Sequence, residues 1–107
     1  MSDDVLVQLA ATISARRAAA PDSSYTRQLL DAGPARCAKK LGEEAIEVAI
    51  AALAQDKDAL VGEAADLLYH LLVVLESRRV ALDDVLKELE RRMSATALQK
   101  RRKAASR

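Results

Sequence analysis

Val5, Leu6, Leu9 and Ile13 recur at the spacing that gathers apolar side chains on one face of a helix. Ser2, Asp3 and Asp4 precede them as capping residues, and this first helix is expected to end before Pro21. Ser23 or Ser24 caps a short helix over 25–32, which Gly33 stops, and Pro34 suits the first position of the next helix. That helix runs to about Ala54, with a turn at Gln55–Asp56. Asp56 or Asp58 opens a further helix to about Arg78, gathering Arg78 and Arg79 at its negative dipole end. Asp83 and Asp84 fall in the first turn of a helix over about 82–93, and Ser94 or Thr96 begins a weak terminal one. No segment alternates with the period of a strand. The expected class is all-α: an antiparallel helical bundle with short connections. One domain spans 1–93, followed by a basic tail over 94–107, weakly helical or disordered.

The two central helices carry more apolar surface than a single stripe. Residues 45–54 are Ala, Val, Ile or Leu apart from Glu47, and residues 64–75 are apolar apart from Asp66, Tyr69 and His70. Such helices need cover on several faces, and a chain of 107 residues offers few. A homodimer through these helices is therefore expected. Ala45, Ala49 and Ala52 permit close approach, while Leu71, Leu72 and Leu75 supply buried area. Composition agrees: half the residues are hydrophobic, Phe and Trp are absent, and Tyr25 and Tyr69 are the only aromatics.

Charge alters the picture mainly at the end of the chain. Of 17 basic and 16 acidic residues, 10 basic and all 16 acidic lie in 1–90, leaving 7 basic residues in 91–107. The tail is either a solvated helix end or a surface for anions; no nucleic-acid partner is expected. Cys37 alone cannot form an internal disulfide, which suits a reducing cytoplasm. The N-terminus lacks signal-peptide features and no apolar run is long enough for a bilayer, so a soluble, cytoplasmic protein without a membrane partner is expected.

Acid set in this apolar material carries the chemistry. Glu44 and Glu47 are three residues apart on one helix, and Glu63 and Asp66 repeat the spacing on the next. Their flanking residues (Leu41, Val48 and Ala51; Leu67, Val73 and Val74) point all four towards a helix–helix interface. Clustered carboxylates raise each other's pKa unless a cation neutralises them. All-oxygen ligands favour a hard ion, Mg²⁺ first and then Mn²⁺, which keeps positions open for water and phosphate. The plainer alternative is a solvated stripe paired with Arg36, Lys39 or Lys40. A di-iron bundle would need Glu-x-x-His pairs, and none occurs.

Glu43-Glu44-x-x-Glu47 followed by Glu63-x-x-Asp66 resembles the metal signature of the MazG-like all-α nucleoside triphosphate pyrophosphohydrolases. Ser24-Tyr25-Thr26, Gly33-Pro34, Lys39-Lys40-Leu41-Gly42-Glu43-Glu44-Ala45 and Glu63-Ala64-Ala65-Asp66-Leu67-Leu68-Tyr69-His70 are similar to the phosphoribosyl-ATP pyrophosphatase family, over roughly residues 5–93. The resemblance implies hydrolysis of phosphoribosyl-ATP to phosphoribosyl-AMP and pyrophosphate, the second step of histidine biosynthesis, by a Mg²⁺-dependent homodimer. The chain lacks the length and the Cys and His ligands of a fused cyclohydrolase, so a separate phosphoribosyl-AMP cyclohydrolase is the expected pathway neighbour.

On this reading Glu44, Glu47, Glu63 and Asp66 bind one or two Mg²⁺ ions, and Glu43 or Glu47 is the general base. Lys40, and with it Lys39 and Arg36, is placed to hold outer phosphates. His70 either supports the site or phosphate, or is an ordinary core histidine. Tyr25 and Thr26 approach substrate or simply start a helix, and Cys37 reads as a small core residue. Two rivals stand: a house-cleaning pyrophosphatase acting on another triphosphate, and a catalytically silent helical interaction module.

Overall fold

The computed structural model describes residues 2–20 and 24–94, with side chains from Val5 onward. Five α-helices follow in order: α1 (Ser2–Ala15), α2 (Tyr25–Ala32), α3 (Pro34–Ala54), α4 (Lys57–Ser77) and α5 (Leu82–Arg92). A 3₁₀ turn, Arg16–Ala18, extends α1, and no strand occurs among the described residues. The all-α expectation holds. No described helix is long and apolar enough to cross a membrane. The expected roles of Ser2–Asp4 as caps, of Pro21 and Ser23, and of the tail beyond Ser94 lie outside the described residues or side chains.

Single residues set the boundaries. The Ser24 hydroxyl accepts from the Arg27 N–H at 3.1 Å and starts α2. Gly33 ends it at φ 96°, a left-handed value that L side chains rarely adopt, with its N–H bonded to the carbonyls of Leu29 and Leu30. Pro34 begins α3 at once. At the other end, the Asp56 carboxylate accepts from the Ala59 N–H at 2.9 Å and caps α4. Only Gln55 and Asp56 separate α3 from α4, so the helices fold back on one another and form the main contact of the molecule.

Helix α1 and its 3₁₀ extension end before Pro21, as expected, and side chains tie that end to the rest of the fold. Arg17 donates from Nε to the Glu76 carboxylate and from Nη2 to the Glu76 carbonyl. Arg27 in turn donates to the carbonyls of Arg17, at 2.9 Å, and of Ala19. These bonds pin the connection between α1 and α2 against the last turn of α4.

The core sits at one end of the α3–α4 hairpin. Ile13 of α1, Leu29 and Leu30 of α2, Cys37 of α3, and Leu72 and Val73 of α4 form it. Leu6, Leu9, Tyr69, Leu75 and Leu82 pack around it. This corrects the expected dimer face in part. Leu72, 5% exposed, and Leu75 belong to the interior of the single chain because α1 crosses that stretch of α4. Of the three leucines, Leu71 alone counts as exposed. The uncovered apolar surface lies further along the hairpin: Ile46 (62% exposed), Ile50 and Leu53 (90%) on α3, Val61 and Leu68 on α4.

Helix α4 ends in a Schellman motif: the Val80 N–H bonds the Leu75 carbonyl at 2.9 Å and the Arg79 N–H bonds the Glu76 carbonyl at 3.0 Å. Arg79 occupies the left-handed position at φ 55°, where a Cβ is unfavourable. Replacing Arg79 with Gly should therefore raise unfolding stability, by roughly 0.5–1 kcal/mol after the larger entropy of an unfolded glycine is subtracted. Urea denaturation at neutral pH is the measurement; an unchanged or lower midpoint would show that the arginine side chain makes up for its backbone strain.

Candidate active site

Cys37, Leu41, Glu44, Val48 and Ala51 recur at three and four residues along α3 and form its face against α4. Glu44 is thus half-buried in the seam between the two long helices. Glu63, also half-buried, meets it from α4. Asp66, one turn on and exposed, completes a group in which one carboxylate oxygen of each of Glu44, Glu63 and Asp66 lies within 4.8 Å of the others. Three of the four expected ligands therefore converge. Glu47 is exposed and stands outside this triad, yet close enough to act on Glu63.

The expectation that all four acids point into the interface holds for Glu44 and Glu63 only. Two residues three apart on a helix differ by about 60° in direction, so one member of each pair takes the seam and the other its solvent edge. The electrostatics follow from this placement. Partial burial, and then the charges of Glu47, Asp66 and Glu44, push the Glu63 carboxyl above its ordinary value. A cation between these oxygens removes that penalty. Oxygens sharing one Mg²⁺ stand about 3–4 Å apart, given metal–oxygen distances near 2.1 Å, so small side-chain rotations bring this set together.

The basic residues occupy the preceding turns. Lys40 pairs with Glu43 at 3.2 Å, and this contact is the chief cause of its raised pKa, with Tyr25 next and Glu44 a smaller contributor. Glu43 is therefore exposed and held by Lys40 rather than turned into the triad. Lys39 and Arg36 are exposed on the same helix.

His70 lies one turn after Asp66 and is buried. Its Nδ1 is 2.8 Å from the Asp66 carbonyl oxygen, which can only accept, so Nδ1 carries the proton. Nε2 then accepts from the Tyr25 hydroxyl at 3.3 Å. Both ring nitrogens are engaged within the protein. Around them lies an aromatic cluster that the sequence pattern does not disclose. Tyr25 stacks near Tyr69 (centroids 6.4 Å apart, planes at 22°), and Tyr69 meets His70 edge-on at 4.9 Å. The Tyr69 hydroxyl is hydrogen-bonded to the Thr26 hydroxyl, and burial pushes its pKa up. The available signal was that the chain's only two aromatics each adjoin a polar partner, in Tyr25-Thr26 and Tyr69-His70. Cys37 is buried in the core, where its thiol donates to the Leu29 carbonyl at 3.2 Å and burial raises its pKa.

A hollow of about 220 Å³ lies elsewhere, between α1, α4 and α5, lined by Ala10, Leu72, Leu75 and Leu82 among others. Its position is roughly 14 Å along α4 from Asp66, and its lining is mostly aliphatic, so it is no part of the acidic site.

Comparison with known proteins agrees with this geometry. The family model described as phosphoribosyl-ATP pyrophosphohydrolase matches residues 6–93, a span that includes Glu43, Glu44, Glu47, Glu63 and Asp66. A phosphoribosyl-ATP pyrophosphatase of Agrobacterium fabrum is 56% identical over 98 residues, covering 92% of each chain. One from Dinoroseobacter shibae is 59% identical over 88 residues, 82% of this chain and 86% of that one. Phosphoribosyl-ATP pyrophosphatase 1 of Rhodopseudomonas palustris is 48% identical over 101 residues, 94% of each. With a match of this extent, and the acids of α3 and α4 gathered within it, the chain belongs to the phosphoribosyl-ATP pyrophosphohydrolase family.

Proposed function

We propose that this chain hydrolyses phosphoribosyl-ATP to phosphoribosyl-AMP and pyrophosphate, the second step of histidine biosynthesis, with Mg²⁺ as its cofactor and Mn²⁺ as a substitute. The observation that carries the reading is the convergence of Glu44, Glu63 and Asp66 from two helices of a chain in this family. A hard cation held there supplies charge neutralisation on the triphosphate and a more acidic water.

The protein's own groups do the rest. Glu44, Glu63 and Asp66 would hold the cation through their carboxylate oxygens, and Glu47 stands beside them as the fourth acid. The proton of the attacking water goes to Glu43 or Glu47, whichever carboxylate the cation leaves free; the hold of Lys40 on Glu43 favours Glu47. Lys40, Lys39 and Arg36, within two turns before Glu44, offer positive charge to the outer phosphates. His70, with both nitrogens engaged, orients the helix that bears Asp66. A house-cleaning role on other triphosphates would use the same acids and differ only in the base and sugar pocket.

The same proposal includes a homodimer in the cytoplasm, working alongside a separate phosphoribosyl-AMP cyclohydrolase. Ile46, Ile50 and Leu53 recur at i, i+4 and i+7, and this exposed stripe of α3 lies away from the face turned to α4. A second copy is the simplest cover for it. Ala49 lies beside the stripe and would permit close approach of that second copy.

Glu44→Gln and Asp66→Asn should each lower turnover of phosphoribosyl-ATP by more than about 100-fold, beyond the 10–100-fold typical of losing a residue that merely supports a ligand. EDTA should abolish turnover of the parent, and Mg²⁺ or Mn²⁺ restore it; full activity in metal-free protein would reject the metal assignment.

Glu63 titrates above its ordinary value in the folded state, so it binds protons more readily there than when unfolded, and stability falls as pH rises through that interval. Metal-free Glu63→Gln should consequently melt higher than the parent at pH 7. The gap should narrow as pH falls below the ordinary glutamate range, where protonation makes the parent neutral at this position too.

For the dimer, sedimentation at low micromolar concentration should give two copies for the parent, and Ile50→Asp should shift it to one. A parent that is monomeric and fully active removes the assembly from the proposal.

A further inference from the structure

Tyr25, which the sequence leaves either near substrate or at a helix start, takes no part in the metal chemistry proposed above, and its surroundings are unusual for this chain. Most of the surface near the hairpin is aliphatic or charged, yet Tyr25 sets a half-exposed aromatic ring (50%) beside the acidic seam. The ring is held from two sides. Its hydroxyl donates to His70 Nε2, and it lies nearly parallel to Tyr69, which is itself fixed through Thr26. A single imidazole separates the Tyr25 hydroxyl from the backbone of Asp66. Lys40, the cation nearest in sequence to Glu44 on α3, senses Tyr25 electrostatically and so lies on the same side of the site.

A rigid, partly open π face next to charge-bearing groups is what a purine needs: the base stacks while the phosphates reach the acids and the lysine. We propose that Tyr25 is the platform for the adenine base, a specificity-determining residue held in place by His70. The inference rests on the nucleotide-hydrolase reading of the acidic site, and adds where the base goes. Tyr69 cannot take this part, because its ring is largely enclosed by Tyr25, His70 and Thr26. His70 is a positioning residue here: it engages the Tyr25 hydroxyl, leaving the ring face free.

The chain has no Trp and only two Tyr residues, so its intrinsic emission comes from Tyr25 and Tyr69 alone. AMP, which carries the base, and pyrophosphate, which does not, serve as paired probes in the presence of Mg²⁺. In the parent, AMP should shorten the tyrosine emission lifetime and pyrophosphate should not. Tyr25→Leu should weaken AMP binding about 5- to 100-fold, the range of one base–aromatic stack, with pyrophosphate and Mn²⁺ affinities changed no more than in Tyr25→Phe, which loses only the bond to His70. With phosphoribosyl-ATP, the same variant should raise KM over that range and leave kcat within about threefold. Tyr25→Phe keeps the ring and should lie close to the parent, with a few-fold rise in KM from the lost bond to His70. Tyr25→Trp gives a single bright reporter that AMP should quench, and tests the platform even if the leucine variant does not fold.

Unchanged AMP affinity in Tyr25→Leu overturns the platform. Equal losses of AMP, pyrophosphate and Mn²⁺ binding also overturn it, since they would mean that Tyr25 only supports the fold. Failure of the parent to hydrolyse phosphoribosyl-ATP, with base-dependent quenching intact, would instead count against the proposed reaction and leave the platform standing.

Discussion

Repulsion among carboxylates in the seam between α3 and α4 is the constraint around which the molecule is arranged. The seam is otherwise apolar, with Leu41, Val48 and Ala51 on one side and Leu67 on the other. Placing Glu44 and Glu63 there costs stability that alanine or leucine would have contributed. The cost is visible in the raised pKa of Glu63. The structure tolerates it because the true core is displaced to the other end of the hairpin, where α1 and α2 seal it around Cys37, Leu72 and Val73. Stability and chemistry are thus divided between two ends of the same helix pair.

The aromatic cluster links those two ends. Thr26 and Tyr25 open α2, whose Leu29 and Leu30 belong to the core, while Tyr69 and His70 lie on α4 just beyond Asp66. Cys37 adds a second tie through its thiol to Leu29. Movement of α2 is therefore felt at Asp66 through one imidazole ring, whereas no such brace reaches the distal part of the hairpin among the described residues. Family membership and geometry meet at this point, since the matched span contains both the acids and the residues that steady them.

Much of the fold was legible because single residues dictate it. Ser24, Gly33, Pro34 and Asp56 each act through a local backbone requirement, so the limits of α2 and α3 and the start of α4 follow from sequence alone. The acids were legible for a related reason: a charge inside an apolar helix violates the expected pattern. What periodicity cannot supply is the identity of the neighbour. It marks Leu72, Leu75 and Ile50 alike as apolar face, and only the path of α1 decides that the first two are internal. It likewise puts Glu63 and Asp66 on one side of a helix without saying which takes the seam. What holds the end of α1 was not legible either, because Arg17 reaches Glu76 across 59 residues of chain.

The two-residue connection between α3 and α4 has a wider consequence. Glu44, Glu47, Glu63 and Asp66 all fall within one helical hairpin, so every contact needed to gather them spans a short stretch of chain. Loop closure over such a distance is entropically cheap, and contacts of low sequence separation form early. The acidic seam is accordingly a cassette whose gathering costs little chain entropy, while its stability comes from the helices around it. Whatever surrounds the cassette is then free to diverge, in length, in surface and in what it recognises, without the acids having to be brought together anew.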